Sequence, residues 1–379
     1  MERSVLRRNS GIDLLRGLAI LLVVVHHTML RIPLRKTGAI VVVPRRLLMA
    51  LGYEAVFIFF VVSGFLITAN ALHRWGSLGG MNRRAFYGRR FARIVPCLAA
   101  LVLMLSGLDL LGTPSYTITN PDQSLGAAIV AAFGLHLNWY EGWTGYLPGG
   151  WDVLWSLSIE EVFYIDFPLA ALLARRHLVL LAGLASSLPF ARAALASNEM
   201  WQEKAYLPGM AAIATGVLAA LWVASRRARP ATWLVSGLGV AGTLLVGAVL
   251  LIEDLIWPVL GEATMLLLTG GTALLIAAFH RGWAERWTSA VSAGWLRSLG
   301  RLSYEVYLTH MFVVLSLVGL FRELGSPIGL GWLWFLPAVG LSWLLGMAVA
   351  KVLSVPAEQG LRRAMVLTAA ERRSHVGPR

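Results

Sequence analysis

The first long apolar stretch of the chain carries ionisable side chains that a membrane-spanning helix normally avoids. Asp13, Arg16, His26 and His27 interrupt a run of leucine, isoleucine, valine and alanine. Because an α-helix turns by roughly 100° per residue, Arg16 and His27 lie within ~20° of each other, and Asp13 shares their face. His26 points ~100° away from His27. The shared face presents a carboxylate, a guanidinium and, ~16 Å further along the axis, an imidazole that could transfer a proton.

Two interpretations of this face are open from the helix alone. In one, Asp13 and Arg16 form an ion pair at the cytoplasmic end, the arginine stem snorkels, and the histidines are hydrogen-bonded packing residues. In the other, the groups face the protein interior and mark a functional site, because leaving them in lipid costs several kcal/mol.

The composition identifies the kind of molecule that positions these groups. The chain has 379 residues, of which 57% are hydrophobic and only 14% are charged, whereas about a quarter are charged in an ordinary soluble domain. Apolar runs of bilayer length recur near residues 12–30, 52–73, 94–111, 155–174, 178–196, 205–224, 232–252, 263–280, 302–321 and 335–355. The sequence therefore predicts an all-α fold, a polytopic membrane bundle of about ten transmembrane helices.

Basic residues predict how this bundle lies in the membrane. With the N-terminus inside, most arginines fall in cytoplasmic segments, which predicts that both termini are cytoplasmic. The net charge of +13 is thereby explained by topology, and nucleic-acid binding is not expected. Arg3, Arg7 and Arg8 precede the first apolar run as in a signal peptide, but no small-residue cleavage pattern follows. We therefore expect a retained signal anchor.

The sequence gives no indication of a metal site. Cys97 is the only cysteine, which excludes an internal disulfide and a thiolate metal site. Apart from His26 and His27, the histidines are scattered singly, without the spacing of metal ligands. We expect no metal.

A second stretch that could do chemistry is the inner loop from Met81 to Pro96. Arg90 and Arg93 are three residues apart and project from one side of a helix that enters the membrane. Paired guanidinium groups suit the oxygens of a phosphate. The alternative is that they only anchor the helix at the cytoplasmic surface.

A third stretch is Trp155-Ser-Leu-Ser-Ile-Glu-Glu-Val-Phe-Tyr164. Ser156, Glu160 and Tyr164 are spaced by one helical turn and form a polar stripe that begins at the outer end of a span, while Glu161 points elsewhere. Adjacent glutamates a turn inside a membrane helix are costly to leave unpaired, so we expect them to have partners.

Two more stretches combine apolar residues with polar or small ones. The run from Gly300 to His310 reads Gly-Arg-Leu-Ser-Tyr-Glu-Val-Tyr-Leu-Thr-His and places two tyrosines and a histidine in an apolar span. The run from Phe57 to Phe65 ends in Phe-Phe-Val-Val-Ser-Gly-Phe. Its small residues permit close approach of a neighbouring helix.

The rest of the sequence contains no segment large enough to form a separate soluble domain. The outer stretch 112–154 is rich in turn residues and includes Trp139, Trp143 and Trp151. Indoles there suit the aromatic belt at the membrane interface, which we favour, and they would also stack on sugar faces. We divide the chain into a transmembrane domain, 1–357, and a basic cytoplasmic tail, 358–379, that is either frayed or lies on anionic lipid.

Taken together, these stretches resemble the membrane acyltransferase-3 family, whose members include bacterial enzymes that O-acetylate lipopolysaccharide O-antigens, nodulation factors and macrolides. The matching elements are Arg16-x10-His27, the Phe-Phe-Val-Val-Ser-Gly-Phe run, Arg90-x-x-Arg93 followed by Ile-Val-Pro, the run 155–164 and the run 299–310. They occur in the family's order between residues 11 and 310, and their number makes the resemblance specific.

The resemblance implies a helical membrane domain that transfers an acyl group from cytoplasmic acyl-CoA to an acceptor, often on the far side of the membrane. It implies that His27 is the catalytic histidine and Arg16 its motif partner. It also implies that Arg90 and Arg93 bind the acyl-CoA co-substrate, most simply acetyl-CoA. Some relatives carry a further soluble esterase-like domain, and we expect this chain to act without one.

The predicted topology agrees with these roles. His27 and Glu160 would lie at a similar depth near the outer side, so we expect Glu160 to orient His27 or bind the acceptor. Asp13 would orient Arg16. Neutral His27 would remove the proton of the acceptor hydroxyl as that oxygen attacks the thioester. A covalent acyl-histidine intermediate is the alternative.

The expected acceptor is a surface or lipid-linked glycan at the bacterial inner membrane, and the alternative is a small hydroxylated molecule such as an antibiotic. A different class of function is a proton-coupled transporter or flippase, in which the same ionisable groups would form a path. Such proteins often show interrupted helices in repeated halves, and the sequence shows no such repeat. The unrelated membrane O-acyltransferases that keep a core histidine predict neither the Arg-x10-His element nor the run 155–164.

Overall fold

A computed structural model describes residues 8–32, 45–170, 177–195, 198–226, 230–325 and 328–375. Within these ranges the chain forms α-helices with short 3₁₀ and π segments and no strand, which confirms the all-α prediction. Arg3 and Arg7 of the predicted signal anchor lie outside the described residues.

The first half of the chain forms three long helices, then a group of short helices from the stretch predicted to be outer, and then further helices of the bundle. The long helices are α1 Ser10–Met29, α2 Arg45–Trp75 and α3 Arg83–Leu110. The outer group is α4 Leu125–Phe133, α5 Leu137–Thr144 and α6 Gly149–Asp152. The chain continues through α7 Leu154–Ala170, α8 His177–Ser186, α9 Leu188–Ala194, α10 Glu199–Lys204 and α11 Tyr206–Ser225.

The second half adds two long antiparallel pairs. The first pair is α12 Thr232–Leu260 and α13 Thr264–His280, followed by the short helices α14 Glu285–Thr288 and α15 Gly294–Arg301. The second pair is α16 Ser303–Glu323 and α17 Phe335–Val349. A π-helical segment, Ala350–Ser354, joins α17 to the last helix, α18 Val355–His375.

Each of the ten predicted apolar runs overlaps a described helix. Seven described segments are long and apolar enough to cross a bilayer, and one of them, Thr232–His280, contains both α12 and α13. The predicted span near 155–174 overlaps α7, which the structure describes as far as residue 170, and the span near 178–196 corresponds to the pair α8 and α9. A membrane protein with several spanning helices is thus the architecture that the sequence predicted.

Helix α1 is the central element of the half of the bundle that holds the polar groups. It packs against α2, α13, α15, α16 and α17. The side chain of Asn9 caps its first turn by accepting a hydrogen bond from the backbone nitrogen of Ile12 (3.1 Å), as N-cap residues do. The same side chain donates to the carbonyl oxygen of Phe279 (2.8 Å), which fixes the start of α1 to the end of α13.

Glycines set how closely the helices cross. A Cβ atom on Gly216 of α11 would lie 1.9 Å from the carbonyl oxygen of Val61, and one on Gly64 of α2 would lie 2.0 Å from that of Ile213. The close approach predicted for the Ser-Gly run of α2 is therefore made to α11. A similar close backbone contact at a glycine joins α1 to α15, where a Cβ on Gly300 would lie 1.8 Å from the carbonyl oxygen of Asp13.

A substitution of Gly216 by alanine should separate α2 from α11 and destabilise the bundle. Overpacking of this kind costs about 1–3 kcal/mol, and thermal unfolding of the purified protein in detergent would measure the loss. Gly247→Ala is the matched control, because a Cβ on Gly247 in α12 meets no atom of the described residues within 4 Å. Equal unfolding midpoints for the two variants would contradict the prediction.

Candidate active site

A cavity of about 1030 Å³ opens between α1, α2, α3, α7, α16 and α18. It lies at the end of the bundle where α2 ends and α3 begins, which the basic residues predict to be the cytoplasmic side. Guanidinium groups dominate its charged lining: Arg8, Arg16, Arg74, Arg89, Arg90, Arg93, Arg301 and Arg362. The acidic members of the lining are Glu160, Glu161, Glu305 and Glu358. The cavity is therefore a positively charged chamber that suits an anionic molecule.

Arg16 reaches from α1 into this cavity and is held by α16. Its Nη2 atom donates a hydrogen bond to the Oγ atom of Ser303 (2.7 Å), and Ser303 is buried at the start of α16. The carboxylate of Asp13 lies 3.6 Å from the Nε atom of Arg8 and thus pairs with a different arginine. The shared helical face of Asp13 and Arg16 is present, but Ser303 is the hydrogen-bond partner that positions Arg16.

Arg90 and Arg93 both line the cavity, as their spacing on one helix face predicts. The guanidinium of Arg90 lies 3.8 Å from the ring centroid of Tyr164, and that of Arg93 lies 5.5 Å from the centroid of Tyr304. Such stacking on aromatic faces holds a guanidinium plane in place. Arg93 also lies 3.9 Å from a carboxylate oxygen of Glu358.

Glu358 belongs to the segment that the sequence assigned to a cytoplasmic tail. In the structure the first turns of α18 carry Glu358 and Arg362 into the wall of the cavity, where the two side chains form an ion pair. Met365, further along α18, lies close to Gly88 of α3. The start of this segment therefore completes the arginine-lined chamber.

Glu160 lies in the same cavity rather than beside the histidine of α1. Its carboxylate accepts hydrogen bonds from the hydroxyl groups of Ser63 and Tyr164. Among the described residues, none of its hydrogen bonds reaches His27. The sequence placed Glu160 and His27 at a similar depth, whereas in the structure Glu160 lines the arginine-rich cavity, where Ser63 of α2 is one of its hydrogen-bond partners. Ser63, from the Ser-Gly run, is a site residue that the sequence analysis did not single out.

His27 lies beyond the inner end of the cavity, in contact with His310 of α16. The ring centroids of His27 and His310 are 5.1 Å apart, and that of His26 is 5.2 Å from His27. Tyr307 lines the cavity, donates or accepts a hydrogen bond with Ser156 (2.7 Å), and has its ring centroid 5.9 Å from that of His310. A contiguous line of side chains thus connects the chamber to the histidines.

Segments that the sequence predicts to be on the outer side pack near the histidines, at the end of α1 away from the cavity. Arg31 donates from Nη1 to the carbonyl oxygen of His27 (3.1 Å), and a Cβ on Gly149 would lie 3.1 Å from Nη2 of the same arginine. Helix α6, which begins at Gly149, is fixed by the fully buried Lys204, which pairs with Glu141 of α5 (2.8 Å) and with Asp152 of α6.

Glu141 is buried outside the membrane-spanning segments, and its pKa is raised. Burial, together with the nearby carboxylate of Asp152, raises the pKa of Glu141 above its ordinary value, and Lys204 opposes the rise.

Within the described residues, no group of three histidine, cysteine or acidic side chains is arranged to hold a metal ion.

The comparison with protein families agrees with this architecture. A family profile described as an acyltransferase domain matches residues 9–351. A bundle of membrane helices around an arginine-lined chamber, with His27 and His310 in contact beyond it, is therefore the structure of a membrane acyltransferase domain. The chain belongs to the acyltransferase-3 family, as its motifs indicated.

Curated relatives show which activities occur among similar chains. A Staphylococcus aureus (strain MSSA476) protein named as an O-acetyltransferase is 32% identical over 171 residues, 43% of this chain and 24% of that protein. The peptidoglycan O-acetyltransferase OatA of Listeria monocytogenes is 30% identical over 31% of this chain and 19% of its own length. The acyltransferase MdmB of Streptomyces mycarofaciens is 27% identical over 80% of this chain and 78% of its own.

The matched part of the chain spans about a quarter of the length of the Staphylococcus relatives. The alignment with MdmB, in contrast, extends over most of both chains. No solved structure matches the chain.

The contribution of the Lys204 ion pairs to stability can be tested by substitution. Replacing Lys204 by methionine should cost about 3–5 kcal/mol of unfolding free energy, because Glu141 would stay buried without its cation. Thermal unfolding in detergent measures the loss, and adding Glu141→Gln to the same protein should recover part of it. Lys351→Met, at an exposed position, is the control. An unchanged unfolding midpoint for Lys204→Met would contradict the assignment of Lys204 as the cation that stabilises the buried Glu141.

Proposed function

We propose that this protein is an acyl-CoA-dependent O-acyltransferase of the bacterial inner membrane, with both termini in the cytoplasm. Its substrates are cytoplasmic acetyl-CoA and a hydroxyl group of a surface or lipid-linked glycan. The observation that carries the proposal is the arginine-lined chamber on the predicted cytoplasmic side, which connects through Tyr307 to His27 and His310.

The donor end of the proposal rests on charge and shape. Acyl-CoA carries its negative charge on phosphate groups, and arginine binds phosphate oxygens through two parallel hydrogen bonds. Arg90 and Arg93 are held at the chamber wall by stacking on Tyr164 and Tyr304, so little side-chain freedom would be lost on binding. A volume of about 1030 Å³ is at the upper end of the range for small-molecule sites and suits a large cofactor-like donor.

The transfer step is assigned to the inner end of the chamber. The phosphates bind near the mouth, and the pantetheine arm extends past Arg16 and Glu160 towards Tyr307. The thioester then reaches His27, which acts on the acceptor hydroxyl as a general base or receives the acyl group itself. In either case a new C–O bond forms, the C–S bond breaks, and the hydroxyl proton ends on the departing thiolate.

The acceptor side is proposed from the position of the histidines and from the relatives. His27 is at the end of α1 away from the chamber mouth, and Arg31 links it to the start of α6 at Gly149, so an acceptor on the far side of the membrane is the simplest arrangement. The name of the Listeria relative supports acetyl transfer to a glycan. A small hydroxylated acceptor is the alternative, since the acyltransferase MdmB aligns over most of this chain.

The first prediction of this proposal concerns His27. Purified protein in detergent should release thiol from acetyl-CoA when a suitable hydroxylated glycan is supplied, and His27→Ala should lower the rate about 10²–10⁴-fold. The panel of acceptors should include small hydroxylated molecules, so that it separates the two acceptor classes. Undiminished turnover by a well-folded His27→Ala protein would exclude both versions of the histidine chemistry.

The second prediction concerns the donor side. Arg93→Gln should raise the KM for acetyl-CoA tenfold or more, because a charge-assisted hydrogen bond contributes about 1.5–3 kcal/mol. Glu358→Gln should lower the same KM, because Glu358 competes for the guanidinium of Arg93. Arg84→Gln is the control, since Arg84 is an exposed arginine of α3 outside the cavity lining. Equal KM values for Arg93→Gln and Arg84→Gln would rule out a donor-binding role for Arg93.

A further inference from the structure

His310 has a fixed tautomer. It is fully buried in α16, and its Nδ1 atom lies 2.8 Å from the carbonyl oxygen of Tyr307 in the preceding turn. A carbonyl oxygen only accepts hydrogen bonds, so Nδ1 must carry the proton of the neutral ring. The other nitrogen, Nε2, is therefore left with a lone pair that can accept a proton.

The lone pair of His310 has no hydrogen-bond partner among the described residues. Its Nε2 atom is buried and forms no hydrogen bond with any of them, and the same is true of the Nδ1 atom of His27. The two rings are in contact, with centroids 5.1 Å apart. Buried ring nitrogens without partners are rare because each one costs free energy. Two of them in adjoining rings, beyond the end of a substrate-sized cavity, indicate that a bound molecule supplies the missing hydrogen bonds.

We propose that His310 is a second catalytic residue, whose Nε2 atom accepts the proton of the acceptor hydroxyl. This inference rests on the proposed acyltransferase function and divides the chemistry assigned there to His27 between two rings. His27, in contact with His310, donates its N–H to the acyl carbonyl oxygen and stabilises the negative charge that develops on it. One ring is then the base, and the other is the hydrogen-bond donor.

The step balances without any further reactant. The acceptor oxygen forms a bond to the thioester carbon as its proton passes to Nε2 of His310. The C–S bond then breaks, and the imidazolium of His310 returns the proton to the departing thiolate. The products are the O-acyl ester and free CoA, and both histidines end neutral as they began.

A purely structural role for His310 makes a different prediction. As a packing residue, it would matter because its Nδ1–H satisfies the carbonyl oxygen of Tyr307. Asparagine can place an amide N–H near the position of Nδ1, but it has no atom that corresponds to the lone pair of Nε2. His310→Asn therefore separates the two roles in one substitution.

The experiment compares wild type, His310→Asn and the control His136→Asn in detergent. It measures thiol release from acetyl-CoA with a glycan acceptor, the binding of acetyl-CoA, and thermal unfolding. We expect His310→Asn to lose at least about 100-fold in kcat, with unchanged acetyl-CoA affinity and unfolding midpoint. Added imidazole should restore part of the rate. His136 is exposed at the start of α5 and should tolerate the same change.

Two results would overturn the proposal. One is full activity of His310→Asn, which would show that the lone pair is not used. The other is a loss of activity together with weaker acetyl-CoA binding or a lower unfolding midpoint, which would assign His310 a structural role. Failure of the underlying acyltransferase proposal is distinguishable, because wild type itself would then neither bind acetyl-CoA nor release thiol.

Discussion

The structure depends on the need to give a partner to the charged side chains that the helices bury. Water cannot solvate these groups in the hydrocarbon region, so an unpaired one costs several kcal/mol. Arg16 is satisfied by Ser303, Glu160 by Ser63 and Tyr164, and Lys204 by carboxylates from two outer helices. Apart from the bond between Glu160 and Tyr164, which lies within α7, these pairings join helices that are distant in sequence. The polar groups therefore determine which helices meet around the cavity.

Glycine crossings make those pairings possible. Arg16 can reach Ser303 only because α1 lies very close to α15 and the start of α16, and the backbones at Gly17 and Gly300 meet without side chains between them. The contact of Gly64 with α11 holds α2 in the same way, next to the residue, Ser63, that binds Glu160. Small residues and buried polar residues therefore act together, the first by bringing backbones close and the second by fixing their register.

The sequence predicted those features of the candidate site that depend on the geometry of one helix. The spacing of Arg90 and Arg93 is enough to place both in one wall, and a fixed helical turn is enough to align Glu160 with Tyr164. Features that depend on how helices pack could not be predicted in this way. The depth of Glu160 relative to His27, and the position of Glu358 in the chamber wall, follow from contacts between α7, α2, α3 and α18.

The position of His310 could not be predicted from its spacing in the sequence alone. Tyr304, Tyr307 and His310 follow one another at intervals of three residues on one helix, but this spacing does not show which helices they face. In the structure the tyrosines face the chamber and the histidine contacts His27. The three residues therefore form a line that runs from the arginine-lined chamber to His27. If a thioester is delivered along it, the tyrosines separate the reacting groups from water at the chamber mouth, and this favours transfer to the acceptor over hydrolysis.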